Sequence, residues 1–150
     1  RDRYDVIWKD RQRTRERAME THWNTAVYHE GHFFGSSGRH SNNAVLKCIE
    51  ADTGKEKWKV AGLTRSSLLA VDGHFICLTE QGRLFLLEAN SAEFKFVTQV
   101  RLDLPTAVPG QQEPVQLLSY PCWAAPILSH GLMYVRGTDY LVCLELIPRG

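Results

Sequence analysis

Apolar and polar positions along this chain follow one order three times. Each pass is an apolar run that breaks at a glycine, then a second apolar run, a polar turn, and a third run ending in glutamate. The passes extend from Thr25-Ala-Val-Tyr-His-Glu-Gly31 to Cys48-Ile-Glu50, from Ser67-Leu-Leu-Ala-Val-Asp-Gly73 to Leu86-Leu-Glu88, and from Ala125-Pro-Ile-Leu-Ser-His-Gly131 to Cys143-Leu-Glu145. Short β-rich runs such as Val27-Tyr28, Phe33-Phe34 and Val45-Leu46 bounded by turn residues predict strands. The glycines fall where adjacent strands must reverse, and Asp72-Gly73 is a strong hairpin signal because glycine tolerates positive φ. No window of similar length carries a convincing helical period.

The turn glycines Gly31, Gly73 and Gly131 stand 42 and 58 residues apart, the second interval being stretched by a segment with Pro105, Pro109, Gly110 and Pro114. Strand-only units of about 40 residues predict propeller blades. The expected fold is therefore all-β, a partial β-propeller of about three four-stranded antiparallel blades. The blades are placed at 21–60, at 61–104 and, incomplete, at 119–150, with a linker at 105–118. Residues 1–20 are expected to hold an outer strand and loop of a preceding blade, because Ile7-Trp8-Lys9 echoes Lys57-Trp58-Lys59. Propellers have four to eight blades, so three cannot close a ring. The chain is expected to be the C-terminal piece of a larger ring of seven or eight blades.

After the third strand of the first unit comes Ala51-Asp-Thr-Gly-Lys-Glu-Lys-Trp58. With Cys48 and Glu50 before it, this stretch resembles the PQQ-like (quinoprotein-type) β-propeller repeats, whose blades carry Ala-x-Asp-x-x-Thr-Gly-x-x-x-Trp. Cys48 and Glu50 replace the Ala and Asp, while Thr53, Gly54 and Trp58 match. The second unit keeps the frame with Ser91, Ala92 and Phe96, and the third stops before its Trp position. The resemblance implies that Thr53 and Gly54 form a turn and that Trp58 docks onto the neighbouring blade, with Phe96 doing the same less well. It also implies a bacterial, periplasmic or exported setting.

Composition is that of a soluble globular domain, 43% hydrophobic with a formal net charge of +1. A near-neutral balance gives no general drive toward nucleic acid, and the basic run Arg11–Arg17 contains Glu16 and no interleaved aromatics. It is expected to be a solvated loop or short helix. No stretch of 18 apolar residues occurs, so direct membrane insertion is not expected. The four cysteines lack a Cys-x-x-Cys spacing, which disfavours a zinc site, and they read as small buried free thiols. The histidines fall on turns facing solvent.

Catalytic motifs are missing from the chain. Enzymatic members of the resembled family hold pyrroloquinoline quinone and Ca²⁺ with a stacking Trp, a vicinal Cys pair, and an acidic base with Asn. No vicinal Cys pair occurs in this sequence. One constellation stands out. When the units are aligned on their glycines, Trp23, Arg65 and Trp123 share a register just ahead of the innermost strand. Two Trp and an Arg, types enriched in binding hot spots, would there form a concave aromatic and cationic rim. The competing reading is that each Trp plugs a gap between inner strands. The favoured function is a non-enzymatic scaffold that binds a protein or peptide partner on one face and carries no cofactor. The alternative is the C-terminal portion of a quinone-dependent dehydrogenase.

Overall fold

A computed structural model describes residues 3–10, 17–104 and 114–147. Residues 11–16 of the basic run Arg11–Arg17, linker residues 105–113 and residues 148–150 lie outside them. The regular structure is all β, and no helix among the described residues is long and apolar enough to cross a membrane.

Three antiparallel meanders follow one another along the chain. The first sheet is β1 (Val27–His29), β2 (His32–Ser37), β3 (Val45–Glu50) and β4 (Glu56–Ala61). The second is β5 (Ser66–Val71), β6 (His74–Thr79), β7 (Arg83–Glu88) and β8 (Phe96–Arg101). A two-stranded ribbon pairs β9 (Asp103–Leu104) with β10 (Val115–Gln116), and β10 falls inside the stretch read as a linker. The third sheet has three strands, β11 (Ile127–Ser129), β12 (Leu132–Arg136) and β13 (Leu141–Glu145). Among the described residues no sheet closes on itself.

The first hairpin of every sheet is the same object. Its central residues, Glu30-Gly31, Asp72-Gly73 and His130-Gly131, all have positive φ, between 43° and 78°. That pair of angles defines the type I′ turn, whose twist matches the flanking strands. The residue after each third strand then donates its backbone N–H to the turn glycine: Ala51 to Gly31, Ala89 to Gly73 and Leu146 to Gly131, at 2.8–2.9 Å. Each sheet is thereby stitched across its three inner strands.

Strand alternation gives every sheet two faces. The second sheet buries both. One side, with Phe75, Cys77, Phe85 and Leu87, packs on Phe34, Leu46 and Cys48 of the first sheet. The other, with Leu78 and Leu84, packs on Met133 and Val135 of the third, helped by Leu118 and Cys122 from the segment before β11. The outward face of the third sheet stays open, with Ile127 62% and Leu141 61% exposed.

Trp58 joins the first two sheets. Its indole N–H donates to Asn90 O at 3.0 Å, and its ring lies 5.9 Å from both Phe34 and Phe94. Phe96 does not do the equivalent. The turn after β7 spans Glu88 to Lys95, where that after β3 spans Glu50 to Lys55, so the two extra residues shift the frame. Trp58 pairs with Cys48 and, in the same register, Thr98 pairs with Leu86. Phe96 is half exposed and meets Phe85 of its own sheet.

Thr53 and Gly54 shape a turn that receives another tryptophan. The Thr53 hydroxyl donates to the Glu50 carboxylate at 2.8 Å and accepts the Lys55 N–H. Gly54, at φ +70°, faces the Trp8 ring so closely that a Cβ would come within 2.8 Å of it. The Trp8 indole N–H donates to Ala51 O at 2.7 Å. Residues 3–10 form no strand, although Trp8 docks on the first sheet much as Trp58 docks on the second.

Candidate functional site

The segments leading into β1 and β11 meet the start of β5, which brings residues far apart in sequence around a cleft of about 350 Å³. Trp23 and Trp123 stand on its edge, ring centroids 6.0 Å apart and tilted by 35°. Trp123 is half exposed. Asn24, Thr25, Ser67 and Leu68 complete the wall, and the Ser67 hydroxyl donates to Trp123 O at 3.4 Å. The Trp23 indole N–H is buried and lacks an acceptor among the described residues. The two tryptophans form one aromatic surface. They do not plug separate gaps.

Arg65 is not part of that surface. The sequence places it on an exposed cationic rim, but it is 9% exposed and paired with Glu80, which is fully buried. Its Nε and Nη2 donate to Glu80 Oε2 at 2.9 and 2.6 Å, and its backbone N–H reaches Oε1 at 3.3 Å. The physical reason is register. Ser66 pairs with Thr79 across the Asp72-Gly73 hairpin, so the next positions outward, Arg65 and Glu80, must face each other. A guanidinium fork fits a carboxylate better than it fits open solvent.

The pair also ties the three sheets together. Arg65 Nη1 donates to Arg39 O at 3.2 Å, its Nη2 lies 3.4 Å from the Tyr120 hydroxyl, and His22 Nδ1 is 3.5 Å away. Cys122 N–H donates to Glu80 O at 2.9 Å. Burial alone would raise the Glu80 carboxyl, but hydrogen bonds from Arg65 and Ser41 and the Arg65 charge bring it below the ordinary value of 4.5. The hydrogen bond to Glu80 leads the causes that raise Arg65. Both groups stay charged at neutral pH, and neither is free to bind an ion or exchange a proton with a ligand.

Other reactive side chains are similarly committed. Burial raises the thiols of Cys48 and Cys122 to about 11 and that of Cys77 to about 12, so these are poor nucleophiles. Cys143 differs from the sequence expectation, since it is exposed. His32 and His74 donate from Nδ1 to the carbonyls of Glu30 and Asp72 across their hairpins. Among the described residues no three His, Cys, Asp or Glu gather where a metal could bind.

Quinone and calcium, implied by the resemblance for enzymatic members, need free carboxylate and amide oxygens beside the stacking ring. Glu80, whose backbone carbonyl accepts the Cys122 N–H, has its carboxylate held by Arg65. The amide is Asn24, whose Oδ1 accepts the His22 N–H and whose Nδ2 donates to Ser36 O. At this cleft Asn24 therefore offers no free amide oxygen to such a group. No known protein family and no curated protein matches the sequence.

Proposed function

We propose that the three sheets are successive blades of a propeller-type arc, and that the chain is a non-enzymatic scaffold binding an extended peptide of a protein partner in the Trp23–Trp123 cleft. The arc reading is supported by the face-to-face order of the sheets, by their shared hairpins, and by inner strands that converge on one cleft. The binding reading is carried by one observation. Two tryptophans from the segments ahead of different sheets meet at 6.0 Å, and Trp123 keeps half its surface open to solvent. Exposed aromatic surface beside an exposed hydroxyl, that of Thr25, suits a peptide, whose side chains bury on the rings while its backbone meets polar groups of the wall.

The test is selection of a displayed peptide library on the purified chain, followed by affinity measurement on Trp123→Ala. The exposed ring is expected to contribute enough that its removal weakens the selected peptides about tenfold or more, with the thermal melt unchanged. Equal binding by Trp123→Ala would place the site elsewhere.

A further inference from the structure

We propose that the Arg65–Glu80 pair positions the two cleft tryptophans, holding the residue ahead of each so that the rings stand together before a peptide arrives. The inference rests on the reading of the cleft as a peptide site and gives that site its positioning residues.

The pair reaches each tryptophan through its predecessor in the chain. On one side Arg65 Nη1 lies 3.5 Å from His22 Nδ1, and because a guanidinium only donates, that ring nitrogen accepts. On the other side Glu80 O accepts the Cys122 N–H at 2.9 Å. The next residues are Trp23 and Trp123. Tyr120 adds a second tie to the Trp123 segment, its hydroxyl 3.4 Å from Arg65 Nη2.

Other contacts fix each tryptophan segment only to its own sheet. The Glu20 N–H donates to Ser37 Oγ and Asn24 Nδ2 donates to Ser36 O, which fastens the Trp23 segment to β2. The Thr138 N–H and hydroxyl donate to Ser119 O and Tyr120 O, which fastens the Trp123 segment to the turn between β12 and β13. None of these bonds runs from the first sheet to the third. The Trp23 indole N–H lacks an acceptor among the described residues, so no hydrogen bond of the ring sets its place. Arg65 and Glu80 stand at the end of the second sheet, between the other two, and touch both segments.

Apolar residues of similar volume would join the sheets without loss of stability, but they could not donate to His22 or to Arg39 O. A forked guanidinium on a buried carboxylate is stiff as well as directional. The consequence for binding is preorganisation. A ring that is loose in the free protein must be ordered when a ligand arrives, which subtracts from affinity, whereas a ring already held does not.

Two indoles at 6.0 Å couple their ultraviolet transitions, and the resulting circular-dichroism couplet reads their spacing with no ligand present. Trp23→Phe identifies the couplet by abolishing it. Arg65→Lys keeps a cation on Glu80, but a single ammonium lacks the fork that also reaches His22. It is expected to fold and to lose most of the couplet. It is also expected to bind peptides selected on the native chain about three- to tenfold more weakly, the cost of ordering one more side chain on binding. His22→Ala, which removes an exposed side chain, is expected to weaken the couplet with the thermal melt unchanged. A couplet of full amplitude in either folded variant overturns the inference and leaves the pair as a clamp between sheets. So does a reduced couplet with undiminished affinity for the peptides. If Arg65→Lys does not fold, His22→Ala decides by the same two readings. A native chain that selects no peptide, with a couplet that still falls in the variants, supports the positioning and removes the peptide reading instead.

Discussion

At the scale of single residues, the Arg65–Glu80 pair decides most. A buried pair is costly to desolvate, and removing one partner strands the other charge at a cost of about 3–5 kcal/mol. Arg65→Met is therefore expected to lower unfolding stability by about that amount in urea titration, and Arg65→Met/Glu80→Leu to recover most of it. A double variant as unstable as the single one would show that the Arg39 and Tyr120 contacts dominate instead. The carboxyl of Glu80 sits below its ordinary value in the folded protein, so its contribution is present above 4.5 and is lost as pH falls through the lower folded value. Stability measured from pH 7 downward should fall on the acid side of 4.5, less steeply in Glu80→Gln. The pairing was legible in principle, because Arg65 and Glu80 are placed symmetrically about Asp72-Gly73. Reading Arg65 by its register among the three lead-in segments, without carrying the hairpin one step further, made it look like a surface cation.

At the scale of elements, hairpins were the most legible feature, because type I′ turns demand positive φ and the glycines at 31, 73 and 131 provide it. Turn length was less so. The longer turn between β7 and β8 moved the register of Trp58 from Phe96 to Thr98, and the family spacing could not reveal this. The Trp23–Trp123 contact was legible as a shared register, but its distance from Arg65 was not, since that depends on which way each side chain leaves the strand. Truncating Trp58, which bridges two sheets, should cost about 3–5 kcal/mol, and Trp58→Ala is expected to show this in denaturant unfolding. Thr98 borders an apolar crevice of about 140 Å³ between the second and third sheets, walled by Ile76, Leu84 and Met133. Thr98→Leu should fill part of it and stabilise by about 1 kcal/mol, whereas Phe96→Trp should leave the melting temperature unchanged.

For the whole molecule, coverage is unequal: the second sheet is packed on both faces, while the third exposes Ile127 and Leu141 on its outer face. Amide hydrogen exchange should follow that order. Protection is expected to be greatest in β6 and β7 and least in β13, because local opening tracks the number of packed contacts. Uniform protection across the three sheets would show that they open as one unit. The hydrogen bonds that stitch Ala51 to Gly31, Ala89 to Gly73 and Leu146 to Gly131 join residues only 15 to 20 apart, and every strand pairs with its neighbour along the chain. Contact order is accordingly low for an all-β protein, and low contact order speeds folding. Each meander can therefore complete its pairing as it leaves the ribosome, before the next is synthesised. The indole of Trp58 then acts as a late clasp that engages once Asn90 and Phe94 have emerged.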